Sequence, residues 1–434
     1  MQVSFRRRRV IGASVLSAVD VVVQRAVSSL VVLVMAVFTN PSVVGLVSAS
    51  TLLLTFYQAV FESPVRQSGY RAIEGTSSDR ASLGRVLRIG GILGGISVSL
   101  AIYGVLLWQG ASGWEFSLLF YGLVPLIISS YLISLLCAQS NGLWARIVLY
   151  RTVSVLSSAL VSVPILVFFD PVVAVVLQAV VSELVFAALL VVSQGRSAKF
   201  QSPGHLSGGY MKDLRQTSVL SLFGWLRGQS DRLWVLVIGG ATVLGIYSVA
   251  YALARSASDA ALVGLTNLYR LGLAKAGFTT PAIQRQLRAQ VVRVMVLSWL
   301  CLCMAVVTAV CVEYFWRSPS WSGSSRIVPI LAFSVFASSV SWSINATLNH
   351  TGESRSLYWI QWLEMSLAVV VGILLAHSIF VGAIAVCVRE FVGSLLGALA
   401  ARRYLQARVL FIWLVNCGAG GIACGSATWF LLEM

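Results

Sequence analysis

Long apolar runs follow one another along this chain and constrain its fold more than any other feature. Thirteen of them have the length of a membrane span, which needs ~20 predominantly apolar residues. Backbone polar groups inside a bilayer must be satisfied within the segment, so each run is predicted to be an α-helix. The predicted spans are 10–38, 42–64, 85–108, 116–138, 146–169, 171–194, 217–239, 242–266, 289–313, 326–348, 356–378, 380–401 and 409–431.

Composition supports the membrane assignment. The 434 residues are 58% hydrophobic and 11% charged, whereas a soluble chain carries about 25% charged residues. The net charge of +16 would suit a nucleic-acid-binding protein, but 24 of the 31 basic residues fall at the N-terminus or in alternate loops, which include 66–88 and 270–293. The positive-inside rule explains that distribution by topology. We therefore expect no nucleic-acid partner, and an N-terminus in the cytoplasm.

The two halves of the chain resemble each other at an offset of 200 residues. Val43–Leu46 corresponds to Val243–Ile246, and Gly142 and Gly352 then mark an inner turn in each half. We predict an all-α integral membrane fold of about 13 helices, with two pseudo-symmetric six-helix halves around a central cavity, as in many alternating-access carriers. The predicted parts are an N-terminal half, 1–194; a cytoplasmic linker, 195–216; a C-terminal half, 217–402; and an additional helix, 403–434.

Charged side chains lie inside the predicted helices, where a bilayer tolerates them poorly. Arg227 and Asp231 share one helix face at a spacing of four, and so do Arg255 and Asp259. A charge at the bilayer centre costs about 2.5–3.5 kcal/mol on insertion scales, so such residues normally face a bundle interior or water. The structural alternative is that each Arg simply pairs with its Asp to hold the helices together.

Polar stripes at helical spacing mark the first, second, seventh and eighth spans, and a hydrated cleft lined by these four helices explains them together. Arginine suits phosphate because its planar fork binds two oxygens. Tyrosine rings suit sugars, although packing between helices is the stronger alternative for them. Mid-helix Arg389 and Glu390 are expected to form a structural pair. The candidate substrate-binding residues are Gln24, Arg25, Gln58, Arg227, Arg232, Tyr247, Tyr251 and Arg255, and the candidate ion-coupling residues are Asp20, Glu183, Asp231 and Asp259.

The segment that follows Asp231 resembles the signature of Wzx-type polysaccharide flippases. That signature is an Asp-Arg pair followed by a run of the form lGxYSxAYxLA, and here Asp231 and Arg232 precede LGIYSVAYALA at 244–254. Gly382–Ala385 more weakly resembles the start of the family's twelfth helix. These O-antigen and exopolysaccharide flippases belong with lipid II flippases and MATE-type multidrug exporters in the multidrug/oligosaccharidyl-lipid/polysaccharide (MOP) exporter superfamily.

The resemblance implies a protein of the bacterial inner membrane that is not an enzyme. It would move a polyprenyl-diphosphate-linked oligosaccharide across the membrane by alternating access. The implied partners are that lipid-linked oligosaccharide, membrane lipids and the polysaccharide polymerase machinery, with H⁺ or Na⁺ coupling left open. No metal or other cofactor is expected.

Two alternatives remain. A small-molecule or drug cation antiporter of the same superfamily should carry an acidic excess in its cavity, whereas Arg outnumbers Asp in the helices considered above. A membrane polysaccharide polymerase or ligase generally needs a sizeable outer loop with catalytic residues. The longest predicted outer loop, 314–325, has only about a dozen residues, so the enzyme is the weaker of the two alternatives.

Overall fold

Helices make up nearly all of the chain that the computed structural model describes, namely 33–74, 77–194, 208–276, 279–315 and 323–433, with isolated positions at 27, 31 and 321. Eleven stretches of these ranges are long and apolar enough to cross a membrane. The predicted all-α integral membrane fold is confirmed. Of the thirteen predicted spans, the first lies outside the described residues except for 27, 31 and 33–38, and the seventh and eighth form one continuous helical run.

The helices of the described ranges are numbered here in chain order. A π-helical segment, Gln58–Glu62, joins α1 to α2, and a 3-10 segment, Gly113–Gly122, precedes α4. The bounds are α1 Pro41–Tyr57, α2 Ser63–Glu74, α3 Ser77–Trp108, α4 Leu123–Ser140, α5 Trp144–Phe168, α6 Pro171–Gln194, α7 Gly208–Ala276, α8 Thr280–Phe315, α9 Ser324–Thr351, α10 Ser354–His377, α11 Ile379–Ala400 and α12 Ala407–Glu433.

The described residues group into two compact units. One unit is Val37–Gln229, which contains α1 to α6 and the beginning of α7. The other is Ser230–Met434, together with the described positions up to Ala36. The division falls inside α7, later than the predicted linker 195–216, of which 195–207 lies outside the described residues.

Helix α7 is a hairpin. Its 69 residues are interrupted at Gly240, where φ is 70° and ψ is −169°, a backbone region that is essentially restricted to glycine. The side chains of Asp231 and Tyr247 are joined by a hydrogen bond, although an unbroken helix would hold residues so spaced ~24 Å apart. The chain therefore reverses at the predicted turn. The seventh and eighth predicted spans are the two arms of α7, 208–239 and 241–276.

Corresponding turns of the two predicted halves have the same local geometry. Gly142 and Gly352 both have positive φ, 73° and 77°. At each turn the residue after the glycine donates its N–H to the carbonyl five residues earlier, at 2.9 Å, which is the Schellman end of a helix. Asn40 and Gly240 each precede a helical segment, at 41 and 241, although their backbone angles differ. Such equalities are expected of a duplicated chain, and the superposition of complete halves stays a prediction.

The two long inner loops predicted at 66–88 and 270–293 are largely helical, so that prediction was wrong. The described residues within 66–88 all lie in α2 or α3, and those within 270–293 all lie in α7 or α8 except 279. Basic residues there no longer carry the desolvation cost of the bilayer, and Ala, Arg, Leu and Gln favour helix. The spans therefore continue as helices beyond the apolar runs that identified them.

Candidate functional site

The arms of α7 bring together five predicted site residues, which we call the hairpin cluster: Asp231, Arg232, Tyr247, Tyr251 and Arg255. The Tyr247 hydroxyl donates a hydrogen bond to Asp231 Oδ2 at 2.6 Å. Asp231 is 1% exposed and Tyr247 is fully buried. Steps of four along the second arm put Tyr247, Tyr251 and Arg255 on one face, as the sequence predicts.

Tyr251 holds two cations. Arg232 Cζ lies 3.7 Å from the centre of its ring, and Arg255 Cζ lies 5.1 Å from it. A guanidinium over an aromatic face gains about 0.5–2 kcal/mol, more when it is desolvated, and Arg255 is only 9% exposed. Among its own five members, the hairpin cluster therefore carries two positive charges and one carboxyl group.

One of the two carboxylate oxygens of Asp231, Oδ2, accepts the hydrogen bond from Tyr247, and the other does not. Among the described residues no donor reaches Oδ1, which is itself buried. Leaving such an atom without a partner costs about 1–3 kcal/mol, and more for a charged group. A proton or a small cation at this oxygen would remove that cost.

Arg389 connects the first arm of α7 to α11. Its Nη1 donates to Ser230 Oγ at 2.7 Å and its Nη2 donates to Glu390 Oε1 at 2.8 Å. The Arg389–Glu390 pair is present as predicted. The bond to Ser230 was not foreseen, and it fixes the α7 arm one residue before Asp231.

A second buried group, the ion-pair cluster, joins α4, α5 and α6 in the unit Val37–Gln229. Arg151 Nη1 donates to Glu183 Oε1 at 2.8 Å, and the Tyr131 hydroxyl donates to Glu183 Oε2 at 2.7 Å. The Arg151 guanidinium also lies 3.7 Å from the centre of the Phe186 ring. Both oxygens of Glu183, predicted to couple ions, are thus engaged within the protein.

Arg151 was not predicted as a site residue, because by sequence it belongs with the basic residues of the loops. Helix α5 begins at Trp144, so Arg151 lies two turns inside a span and is 6% exposed. The available signal was a basic residue inside the first third of an apolar run. The sequence gives no comparable indication for Tyr131, since a single tyrosine in a span usually packs between helices or anchors the helix at the membrane interface.

The remaining predicted site residues lie outside both clusters or outside the described residues. Gln58 is half-buried in the π segment, and Arg227 is half-buried in the first arm of α7, within the unit Val37–Gln229. In that unit Trp225 Nε1 donates to Thr55 Oγ1 at 3.2 Å, so the second and seventh predicted spans do meet. Outside the described part of the structure are Asp20, Gln24, Arg25 and the side chain of Asp259.

Comparison with known proteins identifies the fold. No protein-family model and no curated protein matches the sequence. Solved structures do match it. A MATE transporter in complex with MaD5 has a TM-score of 0.63 at 14% sequence identity, covering 90% of this chain and 94% of that one.

Two further structures agree. An inward-facing multidrug resistance MATE family transporter of the MOP superfamily has a TM-score of 0.60 at 14% identity. A MOP superfamily transporter from Pyrococcus furiosus, with reverse polarity of its binding pocket, has a TM-score of 0.60 at 13% identity. Each covers 90% of this chain and 94% of its own. The chain therefore has the fold of MOP-superfamily transporters, and these structures do not test the narrower resemblance to polysaccharide flippases.

Proposed function

We propose that this chain, which shares the fold of MOP-superfamily transporters, is a membrane transporter that works by alternating access. The observation that carries the proposal is the fold match over 90% of the chain. Carriers with repeated halves commonly expose one mid-membrane site to each side in turn. The matching turns at Gly142 and Gly352 support such a construction, and transporter neighbours agree with a role that is not enzymatic.

For the substrate, the comparisons favour a small molecule. The neighbours include multidrug resistance transporters, and none of those compared above is a lipid-linked oligosaccharide flippase. Drug export was the first alternative from the sequence, and this finding gives it more support than the polysaccharide resemblance receives.

The two arginine charges of the hairpin cluster favour an anionic substrate, and they therefore support the lipid-linked class. Arg232 and Arg255 on one Tyr251 ring would repel a cationic drug and would bind a diphosphate through paired oxygens. A polyprenyl-diphosphate-linked oligosaccharide carries such an anion, whereas a cationic drug does not.

Asp231 is the best-supported coupling residue of the four candidates. It is buried, it accepts one hydrogen bond from Tyr247, and its other oxygen has no donor among the described residues. Protonation or cation binding there would change the charge of the cluster that holds the substrate, which is how a driving ion would affect affinity. Glu183 is less suited, because Arg151 and Tyr131 occupy both of its oxygens.

The two substrate classes can be separated in proteoliposomes that contain the purified chain. One assay measures transfer of a fluorescent polyprenyl-diphosphate oligosaccharide between leaflets, and the other measures counterflow of a cationic dye. Arg255→Lys keeps the charge but loses the two-pronged contact, so it should abolish oligosaccharide transfer if that is the function. Arg402→Lys, an exposed position in an inner turn, is the matched control.

The outcomes are distinct. Dye counterflow with no oligosaccharide transfer would assign the chain to the small-molecule class. Oligosaccharide transfer that is lost in Arg255→Lys and kept in Arg402→Lys would assign it to the lipid-linked class. If the folded protein moves neither substrate, both classes are contradicted.

A further inference from the structure

An apolar groove in the unit Val37–Gln229 belongs to neither cluster. It has a volume of about 670 Å³ and runs between α1, α3 and the first arm of α7. Phe56 and Phe61 line it from α1 and the π segment that follows α1, Leu93 from α3 and Leu214 from α7. Arg85 is the one charged residue among its described lining.

Two glycines of α3 shape the floor of the groove. A Cβ atom on Gly90 would lie 1.8 Å from the ring of Phe61, and one on Gly94 would lie 2.1 Å from the ring of Tyr57. The two aromatic rings can therefore lie directly against the backbone of α3. Tyr57 is 7% exposed, and its hydroxyl has no hydrogen-bond partner among the described residues. The floor of the groove therefore contains a hydroxyl group that a bound molecule could hydrogen-bond.

We propose that this groove binds the polyprenyl chain of a lipid-linked substrate, with the carrier phosphate at Arg85. The inference deepens, and rests on, the lipid-linked class of the proposed function. Arg85 lies three residues inside the candidate span Ser82–Trp108, at the end that the basic loops assign to the cytoplasm. Phosphate groups of membrane lipids lie at that depth, so the charge of Arg85 complements them.

The length of the groove favours a polyprenyl chain over a phospholipid. From Arg85 to Ala101 the lining of α3 extends ~24 Å at 1.5 Å per residue. The hydrocarbon core of a bilayer is about 30 Å thick, so the chains of one leaflet reach only about 15 Å. A single long isoprenoid chain fills the groove from its phosphate end, whereas a glycerophospholipid leaves much of it empty and must house a second chain elsewhere.

The test measures binding of a photoactivatable polyprenyl monophosphate without sugar to the purified chain in nanodiscs, followed by mapping of the crosslinked peptides. Leu93→Trp fills the groove at a position that is 58% exposed. Ile92→Trp adds the same side chain at a neighbouring position of α3 that is 54% exposed but outside the lining. Arg85→Gln removes the phosphate contact.

We expect crosslinks within 85–101 in the wild type. Leu93→Trp should weaken binding about tenfold and Ile92→Trp should leave it unchanged, since only the first occupies the space of the chain. Arg85→Gln should weaken binding of polyprenyl phosphate about tenfold, as expected for one charge-assisted contact, and should not affect uncharged polyprenol. Should Leu93→Trp fail to fold, the wild-type crosslink map and Arg85→Gln decide.

Equal binding by the wild type and a folded Leu93→Trp would overturn the inference, as would crosslinks that fall outside the groove. Displacement by an equal concentration of phosphatidylglycerol would assign the groove to phospholipid and overturn it too. The binding readout needs neither sugar nor transport. Groove binding in a chain that moves only dye would contradict the substrate class and, with it, the role of the groove in transport, while oligosaccharide transfer without groove binding would contradict the inference alone.

Discussion

The buried charged residues of the two clusters, and the buried Arg389, have different kinds of hydrogen-bonding partner. A tyrosine hydroxyl reaches Asp231, whereas Glu183 has both an arginine and a tyrosine, and Arg389 has a serine hydroxyl as well as a carboxylate. A carboxylate that loses its one hydrogen-bond donor among the described residues should respond more strongly to its surroundings than one that also pairs with a guanidinium. Asp231 and Glu183 are therefore expected to behave differently when a partner is removed.

Tyr247→Phe should destabilise the protein by about 1.5–3 kcal/mol, because it removes a hydrogen bond to a buried carboxyl group. Thermal unfolding in detergent measures the loss. In Tyr247→Phe/Asp231→Leu the loss should be smaller than the sum of the two single changes, since the interaction is already absent. Tyr103→Phe, at an exposed position, is the control and should change little. Additive losses would contradict the proposed interaction.

Glu183→Gln should cost about 3–5 kcal/mol, because it removes one partner of the buried Arg151–Glu183 ion pair. Adding Arg151→Met, which removes the charge and keeps an apolar side chain over Phe186, should recover most of the loss. Unfolding in detergent again provides the measurement. A double variant that is folded and still couples transport to an ion would leave Glu183 with a structural role only; loss of coupling at normal stability would restore it as a coupling residue.

Residue spacing predicted which faces of α7 carry the polar groups but could not predict their partners. Steps of four place Asp231 below Arg227, and the sequence alternative was an ion pair between them. The observed hydroxyl donor comes from Tyr247 on the other arm, which depends on where the hairpin turns and how closely its arms pack. Similarly, Ser230 gives no sequence sign that it binds Arg389, because their pairing is set by contact between helices distant in the chain.

At the scale of elements, the reversal of α7 depends on one backbone conformation. Gly240 has a φ/ψ pair that is essentially limited to glycine. The sequence motif GGAT predicts this turn, since glycine at a helix end signals a positive φ. In contrast, the 3-10 start of the fourth predicted span, Gly113–Gly122, has no signal in hydropathy. Its last residue, Gly122, packs closely against Gly95.

Gly240→Ala should destabilise the hairpin by about 1–3 kcal/mol through backbone strain alone. Gly228→Ala is the matched control, since it lies in the first arm with no atom near a new Cβ and should stabilise the helix by up to about 1 kcal/mol. Protein yield and thermal unfolding in detergent compare the two variants. If Gly240→Ala is as stable as Gly228→Ala, the turn does not require a glycine conformation.

For the whole molecule, hydropathy predicted the membrane spans well. Each segment that crosses the bilayer must be apolar and must satisfy its own backbone hydrogen bonds, whatever its neighbours do. Eleven candidate spans in the described residues match the predicted runs once the first is set aside and the two α7 arms are taken as one run. The helices of the described residues within 66–88 and 270–293 were not predicted, since outside the bilayer hydropathy no longer selects between helix and loop. The substrate could not be predicted from the sequence either, because proteins of one fold can transport many different substrates.

The topology predicts that Glu433, at the end of α12, lies on the outer side of the membrane. A cytoplasmic N-terminus and thirteen spans require it, and the alternation of basic loops supports that orientation. A reporter enzyme that is active only outside the cytoplasm should be active when fused after Met434 and inactive when fused after Gln406, between α11 and α12. The opposite pattern would reverse the orientation of the chain.

The π segment of the second predicted span has a consequence for chains that differ in length. Ser63 donates its backbone N–H to Gln58, five residues earlier, so this turn holds one residue more than a regular helix. Pro64 comes next in the chain and has no N–H to offer. Deleting Ala59 should return the turn to ordinary winding and leave α1 and α2 in nearly the same relative rotation, because the wide turn accommodates the extra residue locally. A relative with a one-residue gap here would therefore keep the span, its Pro64 and the packing of Tyr57 against the backbone of α3.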